Sequence, residues 1–218
     1  MNSLILQKYL LDIFEDDSLF GFSEIDKHLI EKENCKCVLV TLLPYPNLNY
    51  AYDEFEFYHM LELLRKQHSD KLNKVKCFLD ENGIKYAVPP ASPKNDGKHL
   101  ADFSYKKAAV LAGLGFIGKN TVFTHYKYAQ KIRISCLLIN LDMPVSSEHS
   151  YSKCGNCDLC VQACPYGFIS GRAWDINLNR DDMLDYKKCA SKSKHSGDGE
   201  KYLCCHCSLA CTYPNNVV

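Results

Sequence analysis

Between residues 154 and 165 the chain reads Cys-Gly-Asn-Cys-Asp-Leu-Cys-Val-Gln-Ala-Cys-Pro, and no other stretch limits its chemistry so tightly. Three thiols at steps of three let a short loop wrap one face of an iron–sulfur cube, with Cys154, Cys157 and Cys160 as ligands. Cys164, three residues further and followed by Pro165, holds the position that two-cluster ferredoxins hand to a second cube. Gly155 suits a backbone that must bend tightly around inorganic sulfide. Structural zinc is the alternative, although zinc sites favour paired Cys-x2-Cys knuckles over a triple step ending in Cys-Pro.

A second set follows: Cys189, then Cys204-Cys205-His206-Cys207-Ser-Leu-Ala-Cys211. Cys204-x2-Cys207-x3-Cys211 repeats the end of the first motif. The exchange pattern assigns Cys154, Cys157, Cys160 and Cys211 to one [4Fe–4S] cluster, and Cys164, Cys189, Cys204 and Cys207 to the other. Cys211 is followed by Thr-Tyr-Pro214 instead of Pro directly, and Cys205 competes with Cys204, which the Cys-x2-Cys spacing favours. His206 reads as a shield for the site, with ligation or tuning as the alternative. Residues 190–201, rich in Ser, Lys and Gly, read as a solvated loop. Cys35, Cys77 and Cys136 read as small buried hydrophobes, and Cys35-Lys-Cys37 is a weak signal for a redox pair.

The chain holds 13 cysteines in 218 residues. An odd count, with no basic segment and apolar core at the N-terminus, fits ligation in a reducing, cytoplasmic setting better than a disulfide scaffold. No stretch approaches the ~20 apolar residues of a membrane span. Lys+Arg and Asp+Glu are both 26, which argues against coating nucleic acid by bulk electrostatics.

Composition divides the chain. Residues 1–102 carry 12 basic and 17 acidic side chains, residues 103–150 carry 6 and 2, and residues 151–218 hold nine cysteines. The expected organisation is an α/β domain over residues 1–150 and a small ferredoxin-like double-cluster module over residues 151–218. In the first part, Cys37–Leu43 suits a buried strand. Phe57, Met60, Leu61, Leu64, His68, Leu72, Val75 and Leu79 recur at steps of three and four, predicting one long helix or two in tandem over Phe55–Glu81, with Gly83 as the stop. Residues 84–88 read as a strand, 91–98 as a loop, 104–112 as a helix and 132–141 as a strand, an order that packs helices on a sheet.

Gly113-Leu-Gly115-Phe-Ile-Gly118 matches G-x-G-x-x-G only formally, because a helical segment precedes it and no acidic residue lies ~20 positions on. Three glycines so close still imply near approach to another backbone or to a ligand. No acidic residue occurs from Phe103 to Leu141, leaving Lys106, Lys107, Lys119, Lys127, Lys131 and Arg133 locally unopposed. They form either a basic face that pairs with the acidic first zone or an anion site near Gly113–Asn120.

The segment Ala109-Val-Leu-Ala-Gly-Leu-Gly-Phe-Ile-Gly-Lys-Asn-Thr121, followed by a strand and the eight-cysteine pattern, resembles the epoxyqueuosine reductase family and, more distantly, reductive dehalogenases. The likeness runs from about Cys35 to Pro214. It implies a nitroreductase-like α/β (α+β) domain that binds cobalamin, fused to a two-cluster module through which electrons reach the corrin cobalt. By the same resemblance Asp102 and Tyr105 are candidate proton donors, Asp102 standing about three positions too close to the glycines. Gly113, Gly115, Gly118, Lys119 and Asn120 are candidate cofactor-binding residues. A cobalt-ligating D-x-H-x-x-G is absent, since Asp26-Lys27-His28 is followed by Glu31, so a corrinoid would carry no protein histidine on cobalt.

The expected function is a reductase passing low-potential electrons through two [4Fe–4S] clusters to a cobalamin-type cofactor. The alternative is a ferredoxin-like electron-transfer protein with neither corrinoid nor turnover of its own. The expected partner is an electron-donor protein such as a flavodoxin or a ferredoxin. Transfer RNA would suit the local basic zone but not the net charge. Nothing in the sequence selects between a monomer and an oligomer.

Overall fold

A computed structural model of the chain describes residues 3–25, 34–45, 54–89, 102–146, 151–197 and 200–214. The loop expected over 91–98 and the Asp26-Lys27-His28 segment lie outside them. The chain divides into two compact units, one built from residues 1–43, 67–114 and 134–149, the other from 44–66, 115–133 and 150–218. The cysteine-rich unit thus takes in two stretches from the first 150 residues.

The first unit is a mixed α/β layer. Its sheet runs β1 (Phe20–Ser23), β2 (Cys37–Pro44), β6 (Ile132–Ile139), β3 (Tyr86–Ala87). β1 pairs antiparallel with β2, Phe20 opposite Thr41, and β3 pairs antiparallel with β6, Tyr86 opposite Ile139. Cys37 to Leu42 are buried at every position, which is why that run lacks strand-type alternation. The strand expected over 84–88 shrinks to two residues at the sheet edge, because only Tyr86 and Ala87 find partners on β6 before Pro89.

Helix α1 (Ser3–Phe14) buries Leu6, Leu10 and Phe14, one apolar stripe at steps of four. Tyr9 stacks on Phe78 at 4.0 Å between ring centroids, and the Lys71 ammonium donates to the Ile13 carbonyl at the helix end. Helix α2 (Glu54–Glu81) follows the expected periodicity, with Phe57, Met60, Leu64, His68, Val75 and Leu79 buried. His68 is wholly inside, its ring bonded to Thr41 Oγ1 at 3.0 Å and Ser135 Oγ at 3.3 Å, which ties the helix to β2 and β6. Gly83, at φ +66°, closes α2: its N–H bonds Asp80 O, and Ile84 N–H reaches back to Leu79 O. Cys77 is exposed on this helix, a correction to its reading as a buried hydrophobe; it lies between the stripe positions Val75 and Leu79.

Helix α3 (Tyr105–Leu111) starts at Ser104, whose hydroxyl accepts from Lys107 N–H, and packs Ala108, Ala109 and Val110 inward. It lies against β1, where a Cβ on Gly21 would sit 3.1 Å from Ala112 O.

The second unit takes residues 54–66 of α2, a small antiparallel pair, β4 (Gly115–Ile117) and β5 (Phe123–His125), and the short helices α4 (Leu159–Gln162), α5 (Arg180–Met183), α6 (Tyr186–Ser193) and α7 (His206–Leu209). The solvated loop expected over 190–201 is instead the end of α6 and an antiparallel pair, β7 (Lys194–Gly197) with β8 (Glu200–Leu203).

Candidate metal centres

The two cysteine motifs are built on one backbone design within the second unit. In the first, Val161 N–H and Gln162 N–H both bond Asp158 O, Ala163 N–H bonds Leu159 O, and Cys164 N–H bonds Val161 O. In the second, Ser208 and Leu209 N–H bond Cys205 O, Ala210 N–H bonds His206 O, and Cys211 N–H bonds Ser208 O. Cys160 on α4 therefore corresponds to Cys207 on α7, Cys164 to Cys211, and Cys157 to Cys204. The two helices pack on each other. Gly155 sits at φ +49° beside Cys154, where a Cβ would meet nothing within 4 Å.

Burial pushes the Cys160 thiol up to about 12, with Cys154, Cys207, Cys211 and Cys157 adding to the rise. Cys211 is pushed up by burial too, and its thiol neighbours are Cys154 and Cys157. Cys189 is raised by burial and by Cys164. Cys204 is raised by burial, with smaller contributions from Glu54, Cys189 and Cys164. For Cys207 burial pushes the thiol up to about 11; a side-chain hydrogen bond from Asn120 opposes this, while Cys204, Cys189 and Cys164 add to it. Electrostatically, Cys160 and Cys211 feel Cys154 and Cys157, while Cys204 and Cys207 feel Cys189 and Cys164, and Cys160 also feels Cys207. Four soft thiolate donors in each expected set suit an iron–sulfur cluster chemically. Cys205 is buried at the cap of α7, in the place of Asp158.

The Lys119-Asn120 dipeptide reaches both motifs. Lys119 is buried, and its ammonium lies 2.6 Å from Asp158 Oδ1, the cap residue of α4. Asn120 donates to Cys207 O at 3.0 Å and exchanges two bonds with the Gln130 amide, at 2.8 and 2.9 Å. Gln130 also accepts from Ser208 Oγ on α7 at 3.1 Å. These two residues, expected as cofactor or anion ligands, have their polar groups turned to the cysteine segments.

The glycines serve close packing. Gly115 opens β4, and a Cβ there would fall 2.2 Å from Thr124 O. At Gly118 a Cβ would meet Gln130 Nε2 at 3.0 Å. Gly113, in the first unit, has φ +75° just after α3. The helix-then-strand order around them is the reverse of a dinucleotide fingerprint.

Asp102 and Tyr105 stand in the first unit. Asp102 lines a pocket of about 230 Å³ with Glu24, Ser104 and Lys107. Tyr105 donates its hydroxyl to Pro89 O at 2.5 Å, and burial pushes its phenol up to about 12, with Cys136 beside it.

Glu54, Cys204 and His206 were not linked by sequence: their ligand atoms lie within 4.8 Å of one another, with His206 Nε2 3.4 Å from Glu54 Oε1. Glu54 is 150 residues from Cys204 along the chain, so no local spacing could reveal it.

Residues 148–170 match the 4Fe-4S binding domain family. A curated epoxyqueuosine reductase from Lactococcus garvieae is 31% identical over 114 residues, which span 50% of this chain and 31% of that relative. The structure of epoxyqueuosine reductase from Streptococcus thermophilus superimposes with a TM-score of 0.64 at 18% identity, covering 98% of this chain and 66% of that one. An epoxyqueuosine reductase crystallised with an epoxyqueuosine-modified tRNA stem loop gives 0.59 at 18% identity, covering 99% and 67%. A catabolic reductive dehalogenase gives 0.59 at 14% identity, covering 80% and 27%. The chain is thus similar in sequence to epoxyqueuosine reductases and shares their mixed α/β fold, while its aligned part spans under a third of the curated relative's length. No described helix is long and apolar enough to cross a membrane.

Proposed function

We propose that the chain is an iron–sulfur reductase that moves low-potential electrons through two [4Fe–4S] clusters. Cys154, Cys157, Cys160 and Cys211 would hold one, and Cys164, Cys189, Cys204 and Cys207 the other. The observation that carries this is the repeated Cys-x2-Cys-x3-Cys backbone, whose last cysteine in each copy falls among the thiols of the other copy. Bound there, the clusters would supply single-electron transfer; the chain's part is to supply thiolates, exclude water and fix the loops. Cys204 serves in preference to Cys205, because Cys205 takes the cap position.

The likeness to epoxyqueuosine reductases supports reduction of a substrate at the far end of this relay, with an epoxyqueuosine-bearing tRNA loop as the candidate substrate. A corrinoid is the candidate acceptor by the same likeness. The test is anaerobic reconstitution with iron and sulfide, an EPR-monitored reduction, and titration of the reduced protein with cob(II)alamin. Two reducible [4Fe–4S] signals support the relay, and a change in the corrin spectrum adds the acceptor. Two clusters without a spectral change favour an electron-transfer protein, and bound zinc with no labile sulfide overturns the reading.

A further inference from the structure

The turn that follows β5 carries Tyr126, Lys127, Tyr128 and Lys131. Its base is tied on both sides: His125 N–H bonds Ala129 O at 2.8 Å, and Ala129 N–H bonds His125 O at 3.0 Å. The buried His125 ring accepts at Nδ1 from Lys127 N–H and Tyr128 N–H, at 3.0 and 3.2 Å. A turn held this way has little freedom left to lose when a partner lands on it. Tyr126, 37% exposed, and Lys127 face solvent at its tip, with the Lys127 ammonium 5.1 Å over the Tyr128 ring.

That tip connects inward to a cysteine segment. Tyr126 touches the buried Phe116 at 6.3 Å between ring centroids, and Phe116 meets Tyr213 edge-on at 5.0 Å. Tyr213 stands two residues beyond Cys211, so one buried ring separates the tip from the segment that supplies the last thiolate of the first set. Charge distinguishes the two sets. The turn belongs to the run from Phe103 to Leu141 that holds no acidic residue. By the other set, Asp185 directly precedes α6 and its Cys189, and Asp181, Asp182 and Asp185 outnumber Lys188 in the pocket they line. A Glu54 carboxylate oxygen lies within 4.8 Å of the Cys204 sulfur. A partner with an acidic face is drawn to the turn and repelled from the acid-lined side.

We propose that the turn from Tyr126 to Lys131 is the docking surface for an acidic flavodoxin, which delivers single electrons to the cluster held by Cys154, Cys157, Cys160 and Cys211. This rests on the two-cluster reading given above. The flavin loses one electron and the cluster gains it, with no bond made or broken. The tyrosine rings suit the flat apolar edge of a flavin, and Lys127 suits the carboxylates around it.

The test is anaerobic stopped-flow reduction of the reconstituted chain by fully reduced flavodoxin, with iron and sulfide counted on every sample. Wild type, Lys127→Glu and Tyr126→Ala are compared with Lys74→Glu, an equal charge change on the exposed side of α2. At low salt the second-order rate constant is expected to fall about tenfold in Lys127→Glu, to fall in Tyr126→Ala and to hold in Lys74→Glu. Added salt should narrow the Lys127→Glu difference, and dithionite should reduce all four proteins alike. Equal flavodoxin rates at full iron content overturn the inference and leave the two-cluster reading intact. So does a wild-type chain that dithionite reduces and flavodoxin does not. If Lys127→Glu loses binding of an RNA stem loop while its flavodoxin rate is unchanged, the turn belongs to nucleic acid and the inference falls. A wild-type chain with fewer than two centres overturns that reading and the inference with it. Should a variant lose iron, carbodiimide cross-linking of wild-type chain to flavodoxin decides: a bond at Lys127 or Lys131 supports the docking surface, and bonds only elsewhere overturn it.

Discussion

Asp158 and Cys205 hold the same position in two copies of one backbone turn. Their φ/ψ angles are −126°/18° and −122°/−6°, and the residues that end the two helices, Ala163 and Ala210, differ by only 5° in φ, at −75° and −70°, with ψ −11° in both. Cys205 is buried at its cap, while burial and its neighbours Cys189 and Cys164 raise the Cys204 thiol.

Serine at Cys204 and at Cys205 should therefore behave differently. Cys204→Ser is expected to lose or destabilise one cluster, about half of the iron. Cys205→Ser is expected to keep both clusters at a folding cost of about 1 kcal/mol, since a buried thiol becomes a buried hydroxyl. Iron content and EPR of the two variants check this.

The Lys119–Asp158 pair should be asymmetric. Asp158→Asn leaves a buried ammonium facing a neutral amide. Because Asp158 is half exposed, the cost is expected at about 1–2 kcal/mol. Lys119→Met removes the charge together with its need for a partner and should cost less. Denaturant midpoints of the two variants, measured anaerobically, test the order.

Two glycines should respond to alanine in opposite degree. At Gly115 the added methyl would collide with the Thr124 carbonyl, so Gly115→Ala should cost about 4 kcal/mol or prevent folding. At Gly155 there is space, and only the left-handed backbone resists, so Gly155→Ala should cost about 1 kcal/mol. Thermal unfolding of both variants is the measurement.

Alkaline stability should depend on Cys37. Burial pushes its thiol up to about 12, and the nearby Asp142 carboxylate and Cys35 add to the rise. Below about pH 9 both folded and unfolded chains keep the proton, and the contribution is whole. Above it the unfolded chain ionises while the folded one does not, so stability falls as pH rises from about 9 to 12. Cys37→Val should flatten that slope, read from denaturant midpoints at pH 8 to 10.5.

Local chemistry was legible in the sequence. The α2 stripe, its Gly83 stop, the β2 run and the first cysteine motif all follow from spacings of a few residues. What escaped depends on distant partners. The edge strand β3 is short because β6 offers only two paired positions, and Cys77 is exposed because the stripe passes on either side of it. The bonds of Lys119 to Asp158 and of Asn120 to Cys207 span 39 and 87 residues, so no local spacing reveals them. The β7–β8 pair was obscured by composition, since Ser, Lys and Gly are the residues of loops.

Iron and acid-labile sulfide per chain, counted for the wild-type protein and for Cys164→Ser after anaerobic reconstitution, probe the heart of the proposal. The expected result is about eight of each in the wild type and about four in the variant, with the EPR signal of only one centre remaining. Zinc in place of iron, or a Cys164→Ser protein with both centres spectroscopically unchanged, would contradict it.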